Sequence, residues 1–180
     1  IMRDAVGVGA TIINDVSALS FDAESLAAAA ALQAPVILMH AQGTPQTMQE
    51  NPTYLDALLE VYDYLEARIE AAVAAGVARE AIIVDPGIGF GKTFDHNLAL
   101  MEGVSLFHGL GAPVLIGISR KGVTGQLAGE TDPKARDFGS VTAAALAVNQ
   151  GVQIVRVHNV VATRQALRVW QATSRGHDGT

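Results

Sequence analysis

The chain has 180 residues, 49% of them hydrophobic and 17% charged, with a net charge of −6 and only 5% aromatics. That balance supports one sizeable core and excludes the basic, aromatic-rich footprint of a nucleic-acid binder. No apolar run approaches the ~18 residues of a membrane span, and the absence of cysteine removes disulfide and thiolate chemistry, which fits a reducing cytoplasm.

In chain order, residues 2–8 read as a helix closed by Gly9, and residues 11–16 as a buried strand ending in Asn14 and Asp15. An alanine-rich helix follows over 22–33, with Asp22 in the N-cap position. Residues 35–40 form the next strand, ending in His40, and a polar loop runs over 42–52. Thr53 with Asp56 resembles a capping box opening a long helix. Leu55, Leu58, Leu59, Tyr62, Leu65, Ile69 and Val73 repeat along it at helical spacing, and Gly76 closes it. Tyr54, Tyr62 and Tyr64 read as packing or surface positions. A strand over 81–85, a helix over about 95–107 and a strand over 113–119 come next. A loop over 122–137, a helix over 138–149, a strand over 152–158 and a helix over 161–174 complete the pattern, with residues 175–180 as a frayed tail.

Strand, loop and helix repeat without a hairpin signal, which predicts parallel strands and right-handed crossovers. Every strand ends in polar groups: Asn14 and Asp15, His40, Asp85, Ser119 to Lys121, and Arg156 with His158. Their recurrence puts the chemistry on one face, as in a (β/α)₈ barrel. Such a barrel needs eight strands and typically ~250 residues, so the expectation is the last five units of one within residues 1–174. An open doubly wound sheet is the alternative. Because residues 1–9 read as the tail of a helix, an N-terminal part is expected to lie before Ile1.

The stretch that carries the chemistry is Ile82-Ile83-Val84-Asp85-Pro86-Gly87-Ile88-Gly89-Phe90-Gly91-Lys92. A carboxylate follows a short apolar run, and three glycines then let the backbone approach what sits above the strand end. It is not a P-loop, because Pro86 stands where the first glycine belongs, and its glycine spacing fails the dinucleotide fingerprint. Asp85 is acceptor-only when ionised and Asn14 offers both roles, so the two suit a flat heterocycle whose edge alternates N–H and N. Lys121 supplies a point charge. Arg156 and His158, two apart on a strand, are expected to point the same way and hold a phosphate or diphosphate. His40 has no second His or Cys at ligand spacing, so no protein metal site is expected in this chain.

These residues resemble the dihydropteroate synthase family. The matching segments are Ile12-Ile13-Asn14-Asp15-Val16, Leu38-Met39-His40 with Gln42-Gly43-Thr44-Pro45, the 85–92 loop, Gly117-Ile118-Ser119-Arg120-Lys121, and Arg156-Val157-His158. They occur in the family's order and cover nearly the whole chain. The resemblance implies a barrel enzyme of folate synthesis and a sulfonamide target. It would condense 4-aminobenzoate with 6-hydroxymethyl-7,8-dihydropterin diphosphate, releasing diphosphate.

By the same resemblance, Asn14, Asp85, Lys121, Met39 and Gly117 would hold the pterin, and Arg156 and His158 the diphosphate. Phe90, Ser119, Lys121 and Gly89 would border the aminobenzoate. Mg²⁺ would enter through the substrate diphosphate. The family's Asn ligand to it, its mobile Thr-Arg-Pro-type loop and a second pterin-binding Asp have no counterpart in this chain. The chain alone is therefore expected to be inactive or poorly folded, and the parent protein to be the enzyme. A cytoplasmic homodimer is implied, with an apolar face around Leu146, Leu167 and Trp170. A methyltetrahydrofolate-corrinoid methyltransferase and a non-catalytic pterin-binding relative are the alternatives.

Overall fold

The computed structural model describes residues 1–43 and 46–174. Thr44 and Pro45 of the expected polar-loop motif, and the expected tail over 175–180, lie outside the described residues.

Five parallel strands stand side by side in chain order: β1 (Ile13–Asp15), β2 (Val36–Met39), β3 (Ile82–Asp85), β4 (Leu115–Ile116) and β5 (Ile154–Val155). A parallel bridge between Val84 and Val114 joins the first three to the last two. A doubly wound sheet reverses its strand order at a switch point. Here the order runs without reversal, so the strands form an arc of five (β/α)₈ barrel units.

Helix α1 (Met2–Gly7) precedes β1; α2 (Ser25–Leu32), α3 (Ala57–Ala74), α4 (Phe94–Glu102), α5 (Gly122–Ala128) and α6 (Asp137–Asn149) lie in the crossovers, and α7 (Val160–Ser174) follows β5.

The strand register sorts side chains onto two faces. Ile13 aligns with Val36 and Ile82, and Leu38 with Val84, and all five belong to the buried cluster under the helices. Alternation places Asn14, Ile37, Met39, Ile83 and Asp85 on the opposite face, toward the inside of the arc. Beyond the 84–114 bridge the same alternation sends Val114, Ile116 and Ile118 into the helix-side core and turns Gly117 inward.

Several elements differ from the sequence expectation. Strands are shorter, with two to four residues each. Arg156 and His158 therefore lie past the end of β5 rather than on it. Helix α3 begins after Asp56, whose side chain accepts from the amides of Leu58 and Leu59, both at 3.0 Å. Glu60 closes the box by accepting from Leu55 and Asp56. Leu55 is thus outside the helix and exposed, and the buried stripe is Ala57, Val61, Leu65, Ile69 and Ala72. The small residues at its ends let the helix lie close to the sheet, and Leu58 and Tyr62 flank the stripe half-buried. Asp22 caps a turn through Glu24, one turn before α2 begins.

The stretch over 122–137 contains helix α5 and a 3₁₀ turn, Pro133–Ala135, where a loop is expected. Gly125 sits where a Cβ would strike the guanidinium of Arg136, so α5 exists through tertiary contact rather than propensity. The helix expected over about 95–107 divides into α4 and a 3₁₀ segment, Val104–Leu110, at Gly103.

The two candidate caps of α3 are separable by mutation. Asp56→Ala should lower the urea-unfolding free energy by about 1 kcal/mol, and Thr53→Ala, outside the helix, by well under half of that.

Candidate functional site

Asp85 ends β3 with its carboxyl only 1% exposed. One oxygen accepts from the Gly87 amide at 2.8 Å and the other from Arg156 Nη2 at 3.2 Å. Burial pushes this carboxyl above its usual range. The Gly87 hydrogen bond opposes that, and so do the charges of Arg156, Lys121 and Lys92. Folding back onto Asp85 needs a glycine at 87: φ is +70°, and a Cβ there would fall on the carbonyl oxygen of His40.

Arg156 reaches Asp85 by crossing Gly117. Its amide donates to Ile116 at 3.0 Å, which sets it beside Gly117, and a Cβ on Gly117 would lie 2.8 Å from Nη2. His158 takes a different partner from Arg156: its Nδ1 lies 3.0 Å from Ser119 Oγ, and its amide donates to the same oxygen at 3.2 Å. The expected pair thus separates into an Arg156–Asp85 contact and a His158–Ser119 contact.

Lys121 points inward because Arg120, at φ +61°, turns the chain. Arg120 is held outward by Asp137 at 2.9 Å and by Ser140, whose hydroxyl accepts its amide at 2.9 Å. Lys121 Nζ lies 4.5 Å from the centre of the Phe90 ring and donates to the Ile88 carbonyl. Burial lowers its pKa to about 8, with Asp85 opposing and Arg156 adding to the shift. Gly89 borders the same stem, since a Cβ there would lie 3.3 Å from Lys121 Cδ. Asn14 shares the inner face with Asp85, two strand spacings to the side, or roughly 9–10 Å, and one inward position lower. Met39 aligns with Asp85 on the neighbouring strand and is fully buried. Arg156, Gly117, Lys121 and Met39 therefore gather around Asp85 and its glycine loop, while Asn14 stands apart on the same face and His158 pairs with Ser119.

Sequence reasoning missed the groups that hold the glycine loop. The carbonyls of Gly87 and Phe90 accept from Lys92, that of Ile88 from Lys121, that of Gly89 from Gln49 at 2.6 Å and that of Gly91 from the Tyr54 hydroxyl at 2.7 Å. The Gly89 amide donates to Asn97 Oδ1 at 2.6 Å. Asn97 follows the Thr93–His96 capping box of α4, so the helix start fixes the loop. Lys92 carried a signal, as a cation in a loop with three glycines, but Gln49 comes from a polar loop with no local mark and Tyr54 reads as a packing or surface position.

His40 is buried against Lys92 at 2.9 Å, with Tyr64 edge-on at a centroid distance of 4.8 Å. Burial first, and then the Lys92 charge, lower its pKa to about 3. Burial likewise lowers that of Lys92 to about 7, Asp85 opposing and Lys121 adding to the shift. Among the described residues, no three His, Cys, Asp or Glu side chains are grouped to hold a metal ion. Nor is any described helix long and apolar enough to cross a membrane.

A family model described as pterin binding enzyme matches residues 1–158. The chain belongs to that family. Among curated pterin-binding relatives, the dihydropteroate synthase of Neisseria meningitidis serogroup C is 48% identical over 174 residues, which is 96% of this chain and 62% of the relative. Dihydropteroate synthase from Xanthomonas albilineans, solved with 7,8-dihydropteroate and also with 4-aminobenzoic acid, is 43% identical with a TM-score of 0.90. Each match covers 97% of this chain, and 63% and 62% of the respective structures. The Yersinia pestis enzyme in a sulfonamide drug complex gives a TM-score of 0.92 at 40% identity, over 97% of this chain and 63% of that one. The chain thus spans somewhat under two thirds of the length of these relatives.

The His40 shift has a consequence for acid stability. A folded-state pKa of about 3 against an ordinary 6.5 means that the unfolded state binds the extra proton between those values. Stability from this group is present above about pH 6.5 and falls as the pH drops toward 3. His40→Asn should flatten the dependence of the urea-unfolding free energy on pH between 4.5 and 6 by up to about 1 kcal/mol per pH unit.

Proposed function

We propose that this chain carries most of the substrate site of a dihydropteroate synthase. The enzyme joins the amine of 4-aminobenzoate to the methylene of 6-hydroxymethyl-7,8-dihydropterin diphosphate and releases diphosphate. The observation that carries the reading is the buried Asp85 carboxyl, fixed by Gly87 and Arg156 on the inner face with Met39, Gly117 and Lys121 around it. The ligands named for the Xanthomonas and Yersinia structures support it.

On this reading the guanidine-like edge of the pterin lies against Asp85, with Asn14 and Lys121 on its other polar atoms and Met39 and Gly117 as walls. Asp85 reads two neighbouring N–H groups as a carboxylate, a state that Arg156 and the lysines favour. The aminobenzoate ring lies along Phe90 and Gly89, its carboxylate toward Ser119 and Lys121. The aniline nitrogen attacks the methylene carbon with its lone pair, the C–O bond breaks with its electrons leaving on diphosphate, and the proton shed by the new secondary ammonium goes to the departing diphosphate or to water. Arg156 and His158 stabilise the charge on diphosphate. The nitrogen is already nucleophilic, so the chain contributes positioning and charge stabilisation rather than a dedicated base.

The described residues offer no three-ligand metal cluster, and no step here uses a protein-bound ion. Mg²⁺ belongs to the proposal only as a partner of the substrate diphosphate. We also place the protein in the cytoplasm as a homodimer. Exposed apolar residues on α6 and α7, Phe138, Leu146 and Val169, support a covered helical face there. Leu167 and Trp170 are half-buried, and the Trp170 indole already donates to Asn149.

The test is calorimetric binding of the pterin diphosphate with Mg²⁺ to the full-length protein, followed by an assay of diphosphate release with 4-aminobenzoate. Asp85→Ala should weaken binding by thirtyfold to a few thousandfold, the equivalent of roughly 2–5 kcal/mol. Wild-type binding without diphosphate release would favour the methyltransferase or non-catalytic reading. Equal binding by both proteins would remove Asp85 from the site.

A further inference from the structure

Lys92 touches no substrate in the reaction above, yet its side chain is almost wholly enclosed. The residue is 3% exposed, and Nζ lies 2.9 Å from each of three acceptors: the carbonyl oxygens of Gly87 and Phe90, and Nδ1 of His40. The His40 carbonyl follows at 3.4 Å. An ammonium has three N–H donors and no lone pair, so three acceptors at one distance use it completely. That match requires a lone pair on His40 Nδ1, and therefore a neutral ring with its proton on Nε2. The setting of His40 agrees: the residue is buried beside the Lys92 ammonium, and both conditions disfavour a second positive charge.

The anchor is also well founded. The His40 amide donates to the Asp85 carbonyl at 3.0 Å, which extends the pairing of β2 with β3 to the point where the glycine loop departs. Lys92 thus ties the two carbonyls that bracket Ile88 and Gly89 to the strand next door. Of the other captors of this loop, Gln49 is exposed and Tyr54 and Lys121 are half-buried, whereas Asn97 shares the burial of Lys92.

We propose that Lys92 is a positioning residue for the amine-binding wall: seated on His40, it sets the height of Gly87 and Phe90, and with them the stand of the Phe90 ring and Gly89 relative to Lys121. What that wall binds rests on the function proposed above. Arg156 holds Asp85 directly, and of the positive charges acting on that carboxyl Lys92 is the weakest, behind Arg156 and Lys121, so the pterin side depends on Lys92 less than the amine side does.

The experiment uses the full-length protein with Lys92→Met, Lys92→Arg, His40→Asn and His40→Leu. Each is read by steady-state kinetics in both substrates and by amide hydrogen exchange of the ligand-free protein. Lys92→Met should raise KM for 4-aminobenzoate about tenfold or more while pterin diphosphate affinity stays within about threefold. Exchange at the amides of residues 88–91 should quicken about tenfold, with β2 and β3 unchanged. Lys92→Arg keeps the charge but presents a flat fork instead of three converging donors, so it should not restore the wild-type values. His40→Asn retains an acceptor near the place of Nδ1 and should restore them, whereas His40→Leu should behave as Lys92→Met.

Exchange that is unchanged, or that quickens equally throughout, overturns the proposal, and so does a parallel loss for both substrates. A wild type that forms no dihydropteroate refutes the functional reading, and the exchange pattern then decides on Lys92 alone. If Lys92→Met does not fold, His40→Leu, which leaves the lysine in place, supplies the same exchange comparison.

Discussion

An ionised carboxyl group placed at the tip of an apolar strand loses its hydration, and that loss amounts to several kcal/mol unless donors and positive charge replace the water. Asp85 is in that position, and much of the surrounding architecture follows from it. The chain must double back so that the Gly87 amide meets one oxygen, and the left-handed turn this needs leaves no room for a side chain. Arg156 must cross from β5 to meet the other oxygen, and only a residue without a Cβ at 117 permits the crossing. Lys121 and Lys92 add charge from two further directions. The same desolvation that requires these partners gives the site strong, directional recognition of N–H groups.

The loop after Asp85 is restrained at every carbonyl from Gly87 to Gly91, by Lys92 at its own end and by Lys121, Gln49 and Tyr54 from other segments. Glycine-rich backbone is intrinsically the most conformationally free. Here that freedom is used to reach a shape and then removed by Lys92, Lys121, Gln49, Tyr54 and Asn97. A reaction between two bound substrates with no dedicated base gains mainly from orientation, so a rigid loop at the meeting point suits the proposed chemistry. Family membership and the structural likenesses agree with this arrangement without assigning the individual contacts.

Asp85, Asn14 and Arg156 were legible in the sequence, because a buried parallel strand has one dominant signature and its polar tip stands out against it, whereas Met39 and Gly117 entered only through the family resemblance. The fold followed from repetition of that signature. Other features depend on contacts that no local pattern announces. Helix α5 is held by the fit of Gly125 against Arg136, and its two glycines read as loop. The buried stripe of α3 uses Ala57 and Ala72, which a search for large apolar residues passes over in favour of Leu55. Tyr54 reads as packing, yet its hydroxyl closes the loop 37 residues later. Arg156 and His158 read as a pair by spacing, but once β5 ends at Val155 each follows its own partner.

Lys121, its pKa lowered by burial to about 8, stands within the field of one buried carboxyl. Toward mildly alkaline pH its charge is therefore not fixed. Any anion that settles beside Lys121 favours its charged form, so its arrival draws a fraction of a proton from the surrounding buffer. Heat measured for such an event contains the ionisation enthalpy of that buffer, and only a series of buffers with different enthalpies separates the two. Affinity for an anion likewise declines as the pH rises through the same range, because the proton that must accompany it becomes scarcer.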